Sequence, residues 1–159
     1  MYKKCFLIVI IALLLCSCGE NLEVRERGFV QGMGISKDDK VNVCLRVFEE
    51  MDKTKEYRGT GDTLEDAIND AEMTQGKDFF AGHTEIAVIS SQQKYEVIKE
   101  LINTDISPGC IIIYNDDPVG FVQDNDTIKV LDVLETVIRN KRAEKLNICD
   151  VINNNGQNT

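Results

Sequence analysis

The residue best suited to acid–base chemistry is the single histidine of the sequence, His83, in the stretch GKDFFAGHTEIAVIS. In a strand that begins near Thr84, His83 and Glu85 point to the same face, so the carboxylate could orient the imidazole as a general base. The sequence offers no serine in a nucleophile elbow, no second histidine and no glycine-flanked cysteine beside it. We therefore expect no enzymatic activity. We interpret His83 as a structural residue whose imidazole bonds backbone at a helix-to-strand turn, with a surface contact as the alternative.

Two acidic clusters contain the residue types of a metal site without its spacing. NDDP at 115–118 and DNDT at 124–127 both depart from the calcium-loop pattern D-x-[DN]-x-[DN]-G. Aspartate and asparagine are also the usual residues of turns and helix caps, and Asp126 stands where the last predicted helix needs a cap. The sequence predicts neither a metal site nor a non-covalent cofactor.

The N-terminal residues have the pattern of a bacterial lipoprotein signal. MYKK precedes the apolar run CFLIVIIALLL, which is shorter than the about 20 residues of an ordinary membrane span. Leu15-Cys16-Ser17-Cys18 resembles the lipobox, in which an aliphatic and two small residues precede an invariant cysteine. The resemblance implies a signal peptide at 1–17 and a diacylglycerol- and palmitate-type lipid on Cys18. An uncleaved N-terminal anchor helix is the alternative.

The remaining cysteines do not form a disulfide framework. By this resemblance two of the six cysteines would leave with the signal and Cys18 would carry the lipid, so that three widely spaced thiols without a CxxC motif would be left. We expect small apolar core residues at these positions, with one disulfide as the alternative, and no zinc site. The positions are Cys44, Cys110 and Cys149.

The charge of the chain indicates how it is held at a membrane. The formal charge is −9, and removal of Lys3 and Lys4 with the signal changes it to −11. This balance argues against nucleic acid and against an anionic membrane surface as partners, because both select clusters of Lys and Arg. Attachment is therefore expected to be covalent, through acyl chains that each contribute about 0.8 kcal/mol per buried methylene.

Hydrophobic periodicity predicts the order β-β-α-β-α-β-α. The strand GFVQGMGIS is expected to place Phe29, Gln31, Met33 and Ile35 on one face, and its glycines suggest a bulge or close backbone approach. SKDDK joins it to VNVCLRVFE as a hairpin, and residues 49–60 are a loop or an edge strand.

Helix signals place the remaining elements. Asp62 and Glu65 are predicted to cap the first helix and Gly76 to end it. Ser90 or Ser91 is expected to cap a second helix with the stripe Val97, Ile98, Leu101 and Ile102, and a last helix begins near Thr127.

The economical packing of these elements is an α+β (mixed α/β) single domain, a roughly four-stranded mixed sheet with about three helices. We assign 18–27 to a lipidated tether, 28–148 to the domain and 149–159 to a flexible polar tail.

Several motifs in fixed order resemble the N-terminal domain of the Ger(x)C family, the lipoprotein subunit of bacterial spore germinant receptors. In that family a Gly-Ile-Asp strand end precedes a G-x-T-x-x-x-A helix start and a G-[KR]-x-[LF]-[FY]-x-x-H segment before an apolar strand. Ser36 replaces the aspartate here, and the resemblance covers residues 15–140, the first domain only. The matching positions are Gly34, Ile35, Gly61, Thr63, Ala67, Gly76, Lys77, Phe79, Phe80 and His83.

The resemblance implies a non-enzymatic role. Such a lipoprotein lies on the outer face of the spore inner membrane and assembles with A-type and B-type membrane subunits, and the complex senses nutrient germinants. The motif positions are then structural markers: Gly76 ends a helix, Phe79 and Phe80 plug the core, and His83 enters a buried strand. A free-standing small-molecule-binding surface lipoprotein is the alternative function, and it predicts a pocket of roughly 300–1,000 Å³ with convergent polar groups.

Overall fold

The structure, a computed structural model, describes residues 27–49, 53–140 and 146–156. Cys18 and nearly all of the predicted tether lie outside the described residues. The described elements are β1 (Gly28–Lys37), β2 (Val41–Glu49), β3 (Lys53–Gly61), α1 (Leu64–Gln75), β4 (Phe79–Phe80), β5 (Ile86–Ile89), α2 (Lys94–Asn103), β6 (Ile111–Tyr114), α3 (Pro118–Asp124), α4 (Thr127–Arg139) and α5 (Ile148–Gly156).

The strands form one mixed sheet in the order β3-β2-β1-β5-β6, and the short β4 also pairs with β1. β1, β2 and β3 are an antiparallel meander, whereas β5 and β6 continue the sheet parallel to β1. The predicted fold class is confirmed. The predicted counts are too low: residues 53–61 form an edge strand, Phe79–Phe80 add a further short strand, and α3 and α5 are helices beyond the three predicted.

Helices cover both faces of the sheet, and each face has its own core. The first core joins the sheet to buried side chains of α1, α2 and α5, among them Leu64, Leu101 and Val151. The second and smaller core lies under α3 and α4, where Val122 packs with Cys44, Ile86 and Val88. Because β5 is covered on both faces, its four residues are all buried, as is typical of a parallel strand between helices.

A bulge in β1 changes the alternation that the sequence predicts. The register with β2 shifts between Val30 and Gly32, so that Gln31 is the extra residue. Val30, Met33 and Ile35 consequently share the first core, although Val30 was expected on the other face. The expectation that the glycines of this strand mark a bulge or a close approach is confirmed.

Two further helices differ from their predictions. α2 begins after Gln93 with no side-chain cap, rather than at Ser90 or Ser91, and Ile102 of its predicted stripe is 54% exposed. α5 occupies part of the predicted polar tail. The Asn147 N–H donates to the Asp150 carboxylate at 3.1 Å, and the Asp150 N–H donates to the Asn147 side-chain carbonyl at 2.9 Å, so the two residues cap α5 reciprocally. Val151 of this helix is buried.

Candidate functional site

The residues on which the resemblance depends lie along α1 and the chain that leads from it to β5. Thr63, rather than the predicted Asp62, is the N-cap of α1. Its hydroxyl accepts a hydrogen bond from the Asp66 N–H at 3.1 Å, and the Asp66 carboxylate accepts one from the Thr63 N–H at 3.2 Å. The capping box is therefore displaced by one residue from the predicted pair Asp62 and Glu65.

Glycines of β3 allow α1 to lie directly on the sheet. A Cβ on Gly61 would stand 2.5 Å from the backbone nitrogen of Ala67, and one on Gly59 would overlap the Ala67 carbonyl oxygen. Ala67 is itself fully buried. Gly61 and Ala67 thus form a contact between two backbones, and Gly59, which the sequence analysis did not single out, belongs to the same contact.

The chain leaves α1 through Gly76 and then crosses the end of the sheet. Gly76 has φ of 62°, and its N–H donates to the Glu72 carbonyl, which ends the helix. Three residues later the Phe79 ring stacks on Tyr57 with centroids 4.9 Å apart. The Phe79 N–H donates to the Glu72 carboxylate at 2.6 Å, so that α1, β3 and β4 are joined at one point.

A carboxylate with two cations lies beside this stack. Glu49 is ion-paired to Lys55 at 2.7 Å and to Lys77 at 3.2 Å, and it accepts a hydrogen bond from the Tyr57 hydroxyl. The hydrogen bonds from Lys55 and then Tyr57 lower the pKa of Glu49 to about 2. Burial, followed by the hydrogen bond to Glu49 and the Glu49 charge, raises the pKa of Tyr57 to about 12. The cluster therefore holds Glu49 charged and Tyr57 protonated over the ordinary pH range.

His83 lies in an aromatic cluster at the surface. Its ring centroid is 5.3 Å from that of Phe80, edge-on, and 6.3 Å from that of Phe29. The chain turns here, because the Thr84 N–H and hydroxyl both donate to the Ala81 carbonyl at 2.9 and 2.7 Å. The imidazole thus contacts rings, and among the described residues no backbone bond to it is present.

Two concave sites flank this turn, with Gly82 in both. One, of about 340 Å³, lies between α1 and the end of α2 and includes Glu72, Asn103 and Asp105. The other, of about 420 Å³, combines the exposed His83, Glu85 and Glu135 with the half-buried Ser107. In the described part of the chain, no three His, Cys, Asp or Glu side chains are close enough to hold a metal ion.

A second group of residues joins β1 and β2 to α3, and of this group Gly34 belongs to the family motif. A Cβ on Gly34 would overlap the Pro118 carbonyl, with its carbon 2.7 Å away. The buried Arg46 donates to the Val122 carbonyl at 2.9 Å and to the Glu56 carboxylate at 2.6 Å. A charged residue in an alternating apolar strand was the available signal for Arg46.

The three cysteines outside the N-terminal segment are free thiols. Cys44 and Cys110 are buried as expected, and burial raises the pKa of Cys110 to about 12. The expectation of a core residue is wrong for Cys149, which is exposed on α5.

The described residues thus form a two-core α/β domain in which the motif residues serve caps, turns and close packing. The family model for the spore germination protein N-terminal domain matches residues 20–104, more than half of the 159-residue chain. The chain belongs to this family. Comparison with curated proteins and with solved structures found no match. Among the described helices, none has the length and apolar character that crossing a membrane requires.

Proposed function

We propose that this protein is a lipid-anchored, non-enzymatic subunit of a spore germinant receptor, of the C type, and that it contributes protein contacts to nutrient sensing. Its membership of the spore germination protein N-terminal domain family carries the proposal. The use of the motif residues supports it, because Gly61, Thr63, Ala67 and Gly76 position backbone rather than reactive groups. A domain whose motif residues position backbone in this way contributes to a receptor through the contacts that its surface makes with other proteins.

The proposal includes a location and partners. A diacylglyceryl lipid on Cys18 would hold the chain at the outer face of the spore inner membrane or cell membrane. The partners would be the A-type and B-type membrane subunits of the receptor. The formal charge of −9 supports protein partners over nucleic acid.

Deletion of the gene in its own host, with complementation, tests the proposal. Spores without the gene should lose the response to one or more nutrients and keep the response to a trigger that bypasses nutrient receptors. Complementation with Cys18→Ala should leave an unprocessed precursor without the acyl mass increment and should not restore the response. Cys149→Ala, which alters an exposed thiol, is the matched control and should restore it. Normal nutrient responses in the deletion strain would refute the receptor role.

A free-standing small-molecule-binding lipoprotein is the second candidate. The site of about 340 Å³ between α1 and α2 favours it, because it combines an apolar floor with the polar groups of Asn69, Glu72 and Asn103. Binding of a small polar solute by the isolated protein, weakened by Asn69→Ala and unaffected by loss of receptor subunits, would support this alternative. The receptor proposal predicts no such binding without its partners.

A further inference from the structure

An apolar groove, which we call the α3–α4 groove, lies outside the segment that the family model matches. Its volume is about 540 Å³, and it runs between α3, α4 and the end of β6. Its apolar walls are Ile113, Phe121, Val130, Val133 and Leu134, and its rim is Asp124, Asn125, Asp126 and Lys129. All nine residues follow residue 104, where the family match ends.

The groove exposes the outer side of the second core. Ile113, Phe121, Val130 and Leu134 are half-buried and pack against that core, whereas Val133 on the same wall is 61% exposed. Many protein interaction sites present apolar side chains within a polar rim. A partner that inserts apolar side chains would extend the second core.

The walls of the groove are fixed relative to each other by the short connection between the helices. The Asn125 N–H and side-chain amide both donate to the Phe121 carbonyl, at 3.1 and 2.8 Å, and so end α3. α4 begins two residues later at Thr127, with the Val130 N–H donating to the Asp126 carbonyl. A preformed site of this kind binds without the entropic cost of ordering its walls.

The charge around the groove selects the class of partner. The rim itself carries the carboxylates Asp124 and Asp126 and the cation Lys129, which pairs with Asp126 at 3.8 Å, so its net charge is −1. Over residues 115–140 as a whole, six carboxylates and two cations give a formal charge of −4. A second copy of the chain would bring the same charge to the contact, and an anionic lipid surface would be repelled as well. The complementary partner carries Lys or Arg beside its apolar face. The carboxylates are Asp116, Asp117, Asp124, Asp126, Asp132 and Glu135, and the cations are Lys129 and Arg139.

The neighbouring sheet edge argues against a partner that binds as an added strand. The Ile112 N–H on the outer edge of β6 already donates to the Leu146 carbonyl at 2.8 Å, and Ile111 pairs with Asn147. We propose that the α3–α4 groove binds a basic amphipathic helix of a partner protein, with its apolar face against Val133 and its basic border against Asp124. The proposal stands on these residues and does not require the role in germination.

A pair of synthetic helices tests the proposal on the full chain in nanodiscs of zwitterionic lipid, with empty nanodiscs as the blank. One peptide of about four helical turns carries leucines on one face, a photoreactive residue among them and lysines on both borders. Its counterpart has glutamate in place of each lysine. The lysine peptide should cross-link to α3 or α4 and should bind at least about tenfold more tightly than the glutamate peptide.

Three variants separate the groove from the rest of the surface. Val133→Glu should weaken the lysine peptide about tenfold, whereas Met73→Glu, at a position 83% exposed on α1, should change binding less than about twofold. Asp124→Lys should reduce the preference for the lysine peptide. Circular dichroism checks that each variant is folded.

Several outcomes would overturn the proposal. They are cross-links outside α3 and α4, equal binding of the two peptides, or binding that Val133→Glu leaves unchanged. Concentration-dependent dimerisation that Val133→Glu abolishes would assign the groove to a second copy of the chain instead.

Discussion

Arg46 is a charged residue in the interior of a central strand, and its surroundings explain how it is tolerated. Its guanidinium meets the Glu56 carboxylate and two carbonyls at the end of α3, those of Val122 and Gln123. Its Nε, however, is buried without a hydrogen-bond partner among the described residues. A cation held at a helix C-terminus interacts favourably with the helix dipole. Arg46 therefore fixes α3 to the sheet more than it fills the second core.

Replacing Arg46 with alanine should reduce the free energy of unfolding by about 2 kcal/mol, because the end of α3 loses its donors. Urea unfolding followed by circular dichroism measures the change. Arg58→Ala is the matched control, since Arg58 is exposed and reaches α3 through the Gln123 side chain rather than through a helix-end carbonyl. Its effect should stay within about 0.5 kcal/mol. Equal losses for the two variants would contradict the role given to Arg46.

Glu49 should make the stability of the protein depend on pH. Its pKa in the folded chain is about 2, below its ordinary value of 4.5, so the unfolded chain binds the proton more tightly. The stability that this carboxylate contributes is therefore fully present above pH 4.5 and lost as the pH falls toward 2. Melting curves recorded between pH 4.5 and 2 should show that the difference in stability between the wild type and Glu49→Gln shrinks steadily as the pH falls. A difference that is constant with pH would show that the Glu49 charge is not involved.

At the scale of elements, the start of α1 distinguishes two capping schemes. The structure uses Thr63 and Asp66, whereas the sequence pattern equally suits Asp62 and Glu65. Thr63→Ala should lower the free energy of unfolding by about 1 kcal/mol, and Asp62→Ala should change it much less. Thermal unfolding of the two variants decides between them. A larger loss for Asp62→Ala would restore the sequence-based scheme.

The positions of helices and strands were predictable wherever a periodic stripe and a turn signal agreed. α1 with its Gly76 stop and the buried strand β5 are examples, as is the hairpin between β1 and β2. The sequence of β3 does not distinguish a loop from an edge strand. As an edge strand KTKEYRGTG exposes one side, and its short alternation of residues resembles a charged loop. The prediction of which sheet face Val30 occupies was wrong, because a single bulge inverts the alternation of side chains along β1. The position of a bulge depends on the pairing with the neighbouring strand.

The site was less predictable than the fold because it depends on contacts between distant segments. His83 and Phe80 were recognisable from their motif, but their neighbour Phe29 comes from the other end of the matched segment. Gly59 and Arg46 were missed because their partners belong to α1 and α3, which no local pattern connects to them. The spacing of residues along the chain reveals helix caps and apolar stripes. The contacts of Gly59, Arg46 and His83 depend instead on which segments lie side by side in the folded chain.

At the scale of the whole molecule, Gly34 joins the family-matched part of the chain to the part that follows it. α3 lies against β1 at this point so closely that a side chain on Gly34 would displace the Pro118 carbonyl. Gly34→Ala should therefore reduce the free energy of unfolding by about 2 kcal/mol and make α3 and α4 more sensitive to protease. Gly109→Ala is the control, because the nearest atom to its added Cβ is 3.6 Å away. Equal protease sensitivity in the two variants would contradict close packing at Gly34.

The net charge of the whole molecule also affects which partners it binds and whether it associates with itself. The formal charge of the chain is −9, and many carboxylates of the described residues are exposed, while several cations are taken up in pairs such as Lys37 with Glu100 and Lys55 with Glu49. A surface of this kind favours basic partners and discourages self-association, and both effects weaken with added salt.

The central position of β1 has a consequence for the order in which the chain folds. One edge of β1 pairs with β2, its neighbour in sequence. The other edge can pair only after β5 has been made, as in the pair Gly32 and Ile86. Hairpins close in about 1–10 μs, whereas ribosomes add about 5–20 residues per second. Wherever the chain emerges from its N-terminus onward at this rate, it therefore holds a finished meander with one bare edge for seconds. During that interval the bare edge of β1 is open to pairing with another chain, and the arrival of β5 ends the exposure.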